Sequence, residues 1–438
     1  MIFDDDTITR LLGSIEANHL VLLCGAGLSI PPPSNLMSAL RVSQACYEKY
    51  RPIKTLPAPM RDGIDKLAGH FHASKEFESV FIGSLVPWNA LVGEPNPGHA
   101  AISDILISRA ADAALSANFD SLIEQWAWSR KIYLRGALDG HEAMEFRKNT
   151  SPLVKFHGCM MRSPEETLWT EAQLAEPKIA TRVKACSDWM KLELPGKDLL
   201  VIGFWTDWGY LNDVLADALS TTTFGSVTVV DPAATADLQA KAPTLWGRLT
   251  DGTTTFRHVQ ASGADALVEL RTAFSRTWLR KFYALGEPLL TAAGKTYSPV
   301  DPVMNCEDLY NCRCDVEGVP YNRAAQMRQP PNEAAYASFF HHLLIQAKAT
   351  RDGPWYKHGG KRVRIVQGAG QNLNSVRARY DEPPALDQPD VVVCAGALDL
   401  AVPGSLVSPG VGASIVRPSG GGAAQWMTLE QARGELAI

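Results

Sequence analysis

"HLVLLCGAGLSIPPPSNL", residues 19–36, opens on an apolar run and turns on Gly25-Ala26-Gly27. It then meets three consecutive prolines where a dinucleotide-binding helix is normally under way. A short apolar run closed by glycine reads as a buried strand. A turn without bulky side chains lets backbone N–H groups approach a pyrophosphate, and Ser29 places a hydroxyl close by. The same turn also serves as a plain tight turn, so its meaning depends on how the neighbouring strands end.

Outward from this stretch, apolar runs recur at 113–119 ("AALSANF"), 153–158 ("LVKFHG"), 198–204 ("DLLVIGF") and 226–231 ("SVTVVD"), separated by helical stretches. The alternation over residues 1–285 predicts an α/β fold with a Rossmann-like parallel sheet covered on both faces. Two insertions, 36–95 and 160–195, are expected to form a small helical lobe. In open α/β sheets ligands bind beyond the carboxyl ends of the strands, so the residues closing the runs carry the information.

The second run ends in "SANFDSLIEQ", which puts Asn118 and Asp120 at a strand terminus. Asp120 can cap the following helix. Asn118 offers a donor and an acceptor together, which suits a ribose hydroxyl or a water held against an anomeric carbon. The third run ends at His157, with Gly158 giving room behind it; such a histidine serves either as a structural group or as a base. At the fourth, Gly203 permits close approach, and Asp207 can bind a hydroxyl or cap the next helix. The fifth closes on Asp231, placed for a bidentate contact to an adenosine ribose.

Composition bounds the class. The chain has 438 residues, 46% of them apolar, with 11 Trp and 14 Phe, enough for two or three cored domains. A net charge of −5 without a long basic run writes no nucleic-acid or membrane footprint. No stretch of about 18 apolar residues is present to span a bilayer, and the acidic start "MIFDDDTITR" is unlike a secretory signal. A cytoplasmic location is expected, with Cys24 and Cys394 as reduced core thiols.

Together, "GAGLS", "PNPGHAAISDIL", "SANFDSLIE", "VKFHG", "LLVIGFWTDWGYLNDVL" and "VTVVDP" resemble the sirtuins, in the family's order and over roughly residues 8–275. The resemblance implies that Gly25, Ala26, Gly27 and Ser29 cradle NAD, with Gly203, Thr206 and Asp207 also on the dinucleotide. It implies further that Asn118 and Asp120 sit at the nicotinamide ribose, that His157 is the base and that Asp231 holds the adenosine ribose. Two departures narrow it. Deacetylating sirtuins continue the Gly-Ala-Gly turn with a Gly-Ile-Pro-Asp-Phe-Arg stretch, where this chain has "IPPPSNLMSAL"; they also carry a four-cysteine zinc module. Between His157 and Gly203 only Cys159 and Cys186 are present, so no zinc is expected in the catalytic domain.

The sequence therefore looks like the bacterial sirtuin-like subgroup that hydrolyses NAD to nicotinamide and ADP-ribose in anti-phage defence. The alternatives are an NAD or ADP-ribose sensor without turnover, against which the pairing of Asn118 with His157 argues, and a divergent NAD-dependent deacylase. An enzyme that drains NAD needs restraint. Family habit then implies a homo-oligomer, or a ring ATPase or other defence partner.

Past residue 285 the chain becomes rich in Pro, Gly and turns. Residues 286–438 are expected to form a smaller mixed α/β domain for assembly, partner binding or regulation. Its marker is "NEAAYASFFHHLLIQAKAT", with Tyr336, Phe339, Phe340, Leu343 and Leu344 on one helical stripe that must be buried somewhere. Strand-like "RVRIV", "DVVVCAGAL" and "ASIVRP" follow. Cys306, Cys312 and Cys314 suggest a redox-active or structural cluster more than a zinc site, because Cys-x5-Cys-x-Cys is not a standard spacing. The second "GAG", at 368–370, reads as a turn.

Overall fold

The apolar runs of the N-terminal half form strands because short, predominantly apolar segments are satisfied by lying buried between two helical layers. In the computed structural model β1 is Leu20–Cys24, β2 Ala113–Ser116, β3 Gly136–Ala137, β4 Leu153–Val154, β5 Asp198–Ile202, β6 Ser226–Val230 and β7 Thr255–Val259. All pairings among them are parallel, in the order β3-β4-β2-β1-β5-β6-β7. The structure describes residues 1–129, 132–147, 150–205, 208–251, 255–299, 334–352, 355–368, 370–380, 389–398 and 424–438.

β1 sits at the centre and β2 and β5 flank it, in register Leu23↔Leu115 and Leu23↔Val201. The expected Rossmann-like parallel sheet is thus present, with two strands beyond those read from sequence: the two-residue β3 and the edge strand β7. A core of Val21, Leu23, Leu115, Val154, Val201 and Val229 fills the space between sheet and helices.

The first insertion folds as a separate lobe of short helices with its own core, built around Phe71, Phe77, Phe81 and Trp169. The second divides. Its start lends Trp169 to the lobe, whereas the helix Pro177–Glu193 presents Cys186, Trp189 and Met190 to the core of the sheet. That helix belongs to the sheet layer, which corrects its expected place in the lobe.

Met1–Arg271 and Thr272–Ile438 are two compact units. The second holds a mixed five-stranded sheet of β8 (Thr350–Asp352), β9 (Trp355–His358), β10 (Lys361–Gln367), β11 (Val391–Ala395) and β12 (Gln425–Thr428), in the order β12-β11-β10-β9-β8. The aromatic stripe of its helix Ala335–Gln346 is buried at home. Phe339, Phe340, Leu343 and Leu344 are all buried, and Tyr336 alone of the stripe lies half exposed. Cys306, Cys312, Cys314 and "ASIVRP" lie outside the described residues, as does Ala369 of the second "GAG".

The glycines of the β1 and β5 turns serve each other. A Cβ on Gly25 would stand 2.8 Å from Phe204 Cα, and one on Gly27 would stand 2.9 Å from the Gly203 carbonyl oxygen. Gly203 has φ +58°, and its Cβ would lie 2.9 Å from the Leu28 amide nitrogen. Gly203→Ala is therefore expected to cost about 1–3 kcal/mol through left-handed strain and crowding, read as a fall of several degrees in Tm. An unchanged melt would mean that the two loops are not packed in this way.

Candidate functional site

Strand-end chemistry gathers at the carboxyl edge of β1, β2 and β4. After β1 the chain makes one 3₁₀ turn, Ala26–Leu28, and no α-helix begins until Ala39. The prolines thus stand where a helix would otherwise start, so the chain that follows β1 brings no helix dipole of its own to this turn. Its amides are mostly committed. Gly25 N–H donates to Ile202, Gly27 N–H to Gly203, Leu28 N–H to Gly25 and Ser29 N–H to Ala26. Ala26 N–H is the one amide of residues 25–29 with no partner among the described residues, and Ala26 and Gly27 are exposed to solvent.

β2 is turned off at its end by the Ser116 hydroxyl, which takes the Asn118 N–H at 3.1 Å. The Asn118 amide then reaches back to β1, with Nδ2 donating to the Gly25 carbonyl at 3.1 Å and to Ser29 Oγ at 3.0 Å. Asn118 is buried, and its Oδ1 has no partner among the described residues. Asp120 does cap: Oδ1 takes the Leu122 N–H at 3.1 Å at the head of the helix Leu122–Ser129. Its Oδ2 takes the Ser29 hydroxyl proton at 2.9 Å.

Ser29 is the hub. It donates to Asp120 and accepts from Asn118, and His99 Nε2 lies 3.0 Å from it. His99 Nδ1 accepts the Asn96 N–H, so the ring carries its proton on Nε2 and donates it to Ser29. Burial, only partly opposed by the charge of Asp120, pushes the His99 pKa down to about 4, so the ring is neutral at pH 7. Asn96 caps the helix Pro97–Ile107, and its Nδ2 donates to the Leu28 carbonyl at 2.7 Å, tying that helix to the β1 turn. Neither residue was singled out from sequence as part of the site. The signal was an Asn-Pro-x-His capping box inside an otherwise apolar helix.

His157 follows β4. Its Nδ1 lies 2.7 Å from the Ala117 carbonyl, which accepts the proton and leaves the lone pair on Nε2. Nε2 is buried and has no partner among the described residues. Phe119 and Trp208 flank the ring, at centroid distances of 6.1 and 5.5 Å. Burial above all, against the Ala117 hydrogen bond and helped by the charge of Arg182, holds the His157 pKa at about 4. The ring is neutral at pH 7.

Below these groups lies Lys155, a charge inside the "LVKFHG" run. Its Nζ pairs with Glu124 Oε1 at 2.8 Å and also donates to the Asp120 carbonyl, bracing the loop that carries Asn118. Burial opposes the ammonium, but Glu124 and its other neighbours outweigh it and raise the pKa to about 12.

The structure therefore brings together Gly25, Ala26, Gly27, Ser29, Asn118, Asp120, His157 and Gly203 on one edge of the sheet. Asp231 closes β6 two strands from β1, where its Oδ1 takes the Ala233 N–H at 2.9 Å. Thr206 and Asp207 lie outside the described residues. Among the described residues no group of three or more His, Cys, Asp or Glu side chains could hold a metal ion. Cys159 and Cys186 are buried in separate contacts, near Lys155 Nζ and donating to the Leu138 carbonyl. No helix among the described residues is long and apolar enough to cross a membrane.

The SIR2-like domain family matches residues 112–246, an interval that holds Asn118, Asp120, His157, Gly203 and Asp231 and leaves the β1 turn outside. Among solved structures the chain is similar to a Sir2 homologue in complex with NAD, at 13% identity, over 60% of this chain and 91% of that one, with a TM-score of 0.33. It is also similar to Sir2 in complex with the inhibitor EX-527, 2'-O-acetyl-ADP-ribose and a deacetylated p53 peptide, at 11% identity, 60% and 98% coverage and a TM-score of 0.32. No curated protein matches the chain.

Proposed function

We propose that the chain is an NAD hydrolase that cleaves the bond between nicotinamide and ribose, releasing nicotinamide and ADP-ribose. One observation carries this reading. Two acceptors at adjacent strand ends, Asn118 Oδ1 and His157 Nε2, are buried and have no partner among the described residues. Such groups are expensive to bury unless something else meets them. Their other ends are fixed by Gly25, Ser29 and Ala117, so both are pre-oriented.

Cleavage of an N-glycosidic bond develops positive charge at the anomeric carbon and requires a water delivered to it. Asn118 Oδ1 accepts from the ribose or the water, and its Nδ2, tied to the β1 turn, sets the angle. His157 Nε2 takes the proton of the water as it attacks. Ser29, His99 and Asp120 hold the Asn118 amide in place. The exposed turn at Ala26 and Gly27 meets the pyrophosphate with the Ala26 N–H, and Asp231 lies farther along the edge for the adenosine ribose. A sensor needs the cradle but gains nothing from a neutral, unpaired base beside it.

The biological setting we assign is anti-phage defence in the cytoplasm. Residues 286–438 would serve assembly or restraint, within a homo-oligomer or beside a ring ATPase. The test is the full chain incubated with NAD, alone and with candidate partner proteins, with products resolved by chromatography. Nicotinamide and ADP-ribose in equal amounts are expected. Binding by calorimetry with no cleavage under any partner condition would replace the hydrolase by a sensor. NAD consumption only in the presence of an acylated co-substrate would replace it by a deacylase.

A further inference from the structure

Behind the base histidine lies a buried cation whose donors have too few acceptors. Arg182, on the helix Pro177–Glu193, is only 7% exposed. Its Nη2 donates to the Glu166 carbonyl at 2.9 Å, whereas Nε and Nη1 have no partner among the described residues. Thr167 is fully buried, and its Oγ1 is likewise without a partner among the described residues.

Two of these orphans, Arg182 Nη1 and Thr167 Oγ1, converge on one place. The missing side chain of Gly158, the residue after His157, lets both approach: a Cβ there would stand 3.3 Å from Thr167 Oγ1 and 3.4 Å from Arg182 Nη1. The same strand end is fixed to this spot by Leu168 N–H, which donates to the His157 carbonyl at 3.0 Å.

Neither nearby carboxylate forms an ion pair with Arg182, and each acts on it only through space. Glu166 pairs its carboxylate with Lys178, and Asp139 Oδ1 takes the Glu142 N–H at 2.9 Å. Burial lowers the Arg182 pKa, only weakly opposed by the charges of Glu166 and Asp139. A guanidinium cannot escape by losing its proton at any ordinary pH, and an uncompensated buried charge is among the costliest features a fold can hold. Lone waters would satisfy geometry but not charge.

We propose that Arg182 Nη1 and the Thr167 hydroxyl form a buried site for a small monovalent anion, chloride or a carboxylate, beside Gly158 and one residue from His157. The site does not depend on the hydrolase reading, because it binds whether or not the chain turns over NAD. The anion neutralises Arg182 and braces the turn that presents the His157 ring.

The test uses the full chain in sodium gluconate, whose six-carbon polyol anion is too bulky for an enclosed site, with chloride or acetate exchanged in at constant ionic strength and Tm recorded. A saturable rise of several degrees is expected in one of these salts, as binding to the folded state alone requires. Arg182→Met and Thr167→Val should both flatten it. If Arg182→Met does not fold, Thr167→Val decides. A rise with chloride identifies a halide site, and a rise with acetate alone identifies a carboxylate site. No difference between the three salts in the unaltered chain, or a rise that survives in the variants, overturns the proposal.

Discussion

Asn118→Ala is expected to leave the protein folded and able to bind NAD while cutting nicotinamide release by at least about 10²-fold, the scale set by losing alignment of reacting groups. The lost contacts are two hydrogen bonds, to the Gly25 carbonyl and Ser29 Oγ. Both partners keep others: Gly25 still accepts from Leu28, and Ser29 still meets Asp120 and His99. The stability cost is therefore held to about 1–3 kcal/mol. NAD affinity should change little, because the exposed turn at Ala26 and the acid at Asp231 are untouched. Melts, calorimetric titration with NAD and product assays on this one variant separate the cases. A folded Asn118→Ala protein that cleaves NAD at the normal rate would remove Asn118 from the chemistry.

How far this site could be read in the sequence differs residue by residue, and the differences have physical causes. β1, β2, β5 and β6 were legible because a central strand buried on both faces must be continuously apolar, as "LVLLC" and "SVTVV" are. β3 was not, because two residues carry no period, and β7 was not, because "TFRHV" lies at an edge where every residue is partly exposed.

Asn118 and His157 were legible as polar residues closing apolar runs. Lys155 hid inside such a run, since a pattern cannot show that Glu124 is waiting for it. Gly25 and Gly27 admit two readings, of which the sequence shows one. A small residue is equally what a phosphate needs and what the facing Gly203 loop needs, and only the fold brings that loop against it. The helix Pro177–Glu193 packs on the sheet and not in the lobe, which its sequence does not show, because a helical stretch reveals that it has a partner but not which one. The same limit applies to the aromatic stripe of Ala335–Gln346, whose helix packs against β10 and β11 of its own unit.

The pH dependence of His157 gives the sharpest separation of a base from a structural histidine. A base must be unprotonated to act, and burial has lowered this ring to about 4. The rate should therefore stay level from neutral pH down to about 5 and fall only as the folded pKa is approached. An unperturbed imidazole, titrating near 6.5, would halve the rate more than two pH units earlier. His157→Gln keeps a donor for the Ala117 carbonyl and most of the volume but supplies no base, so turnover should drop by roughly 10²–10⁴-fold.

Stability provides the control. The folded pKa lies below the unfolded one, so the contribution of the neutral ring is complete above about 6.5 and is lost as pH falls towards 4. Melting temperature should decline over that window in the unaltered protein and decline less in His157→Gln. The slope that remains belongs in part to His99, which titrates in the same range for the same reason. A variant that loses activity only in proportion to its unfolded fraction would return His157 to a structural role. A folded His157→Gln protein, flatter in its acid denaturation and nearly inert towards NAD, is the outcome that a neutral base held at the end of β4 requires.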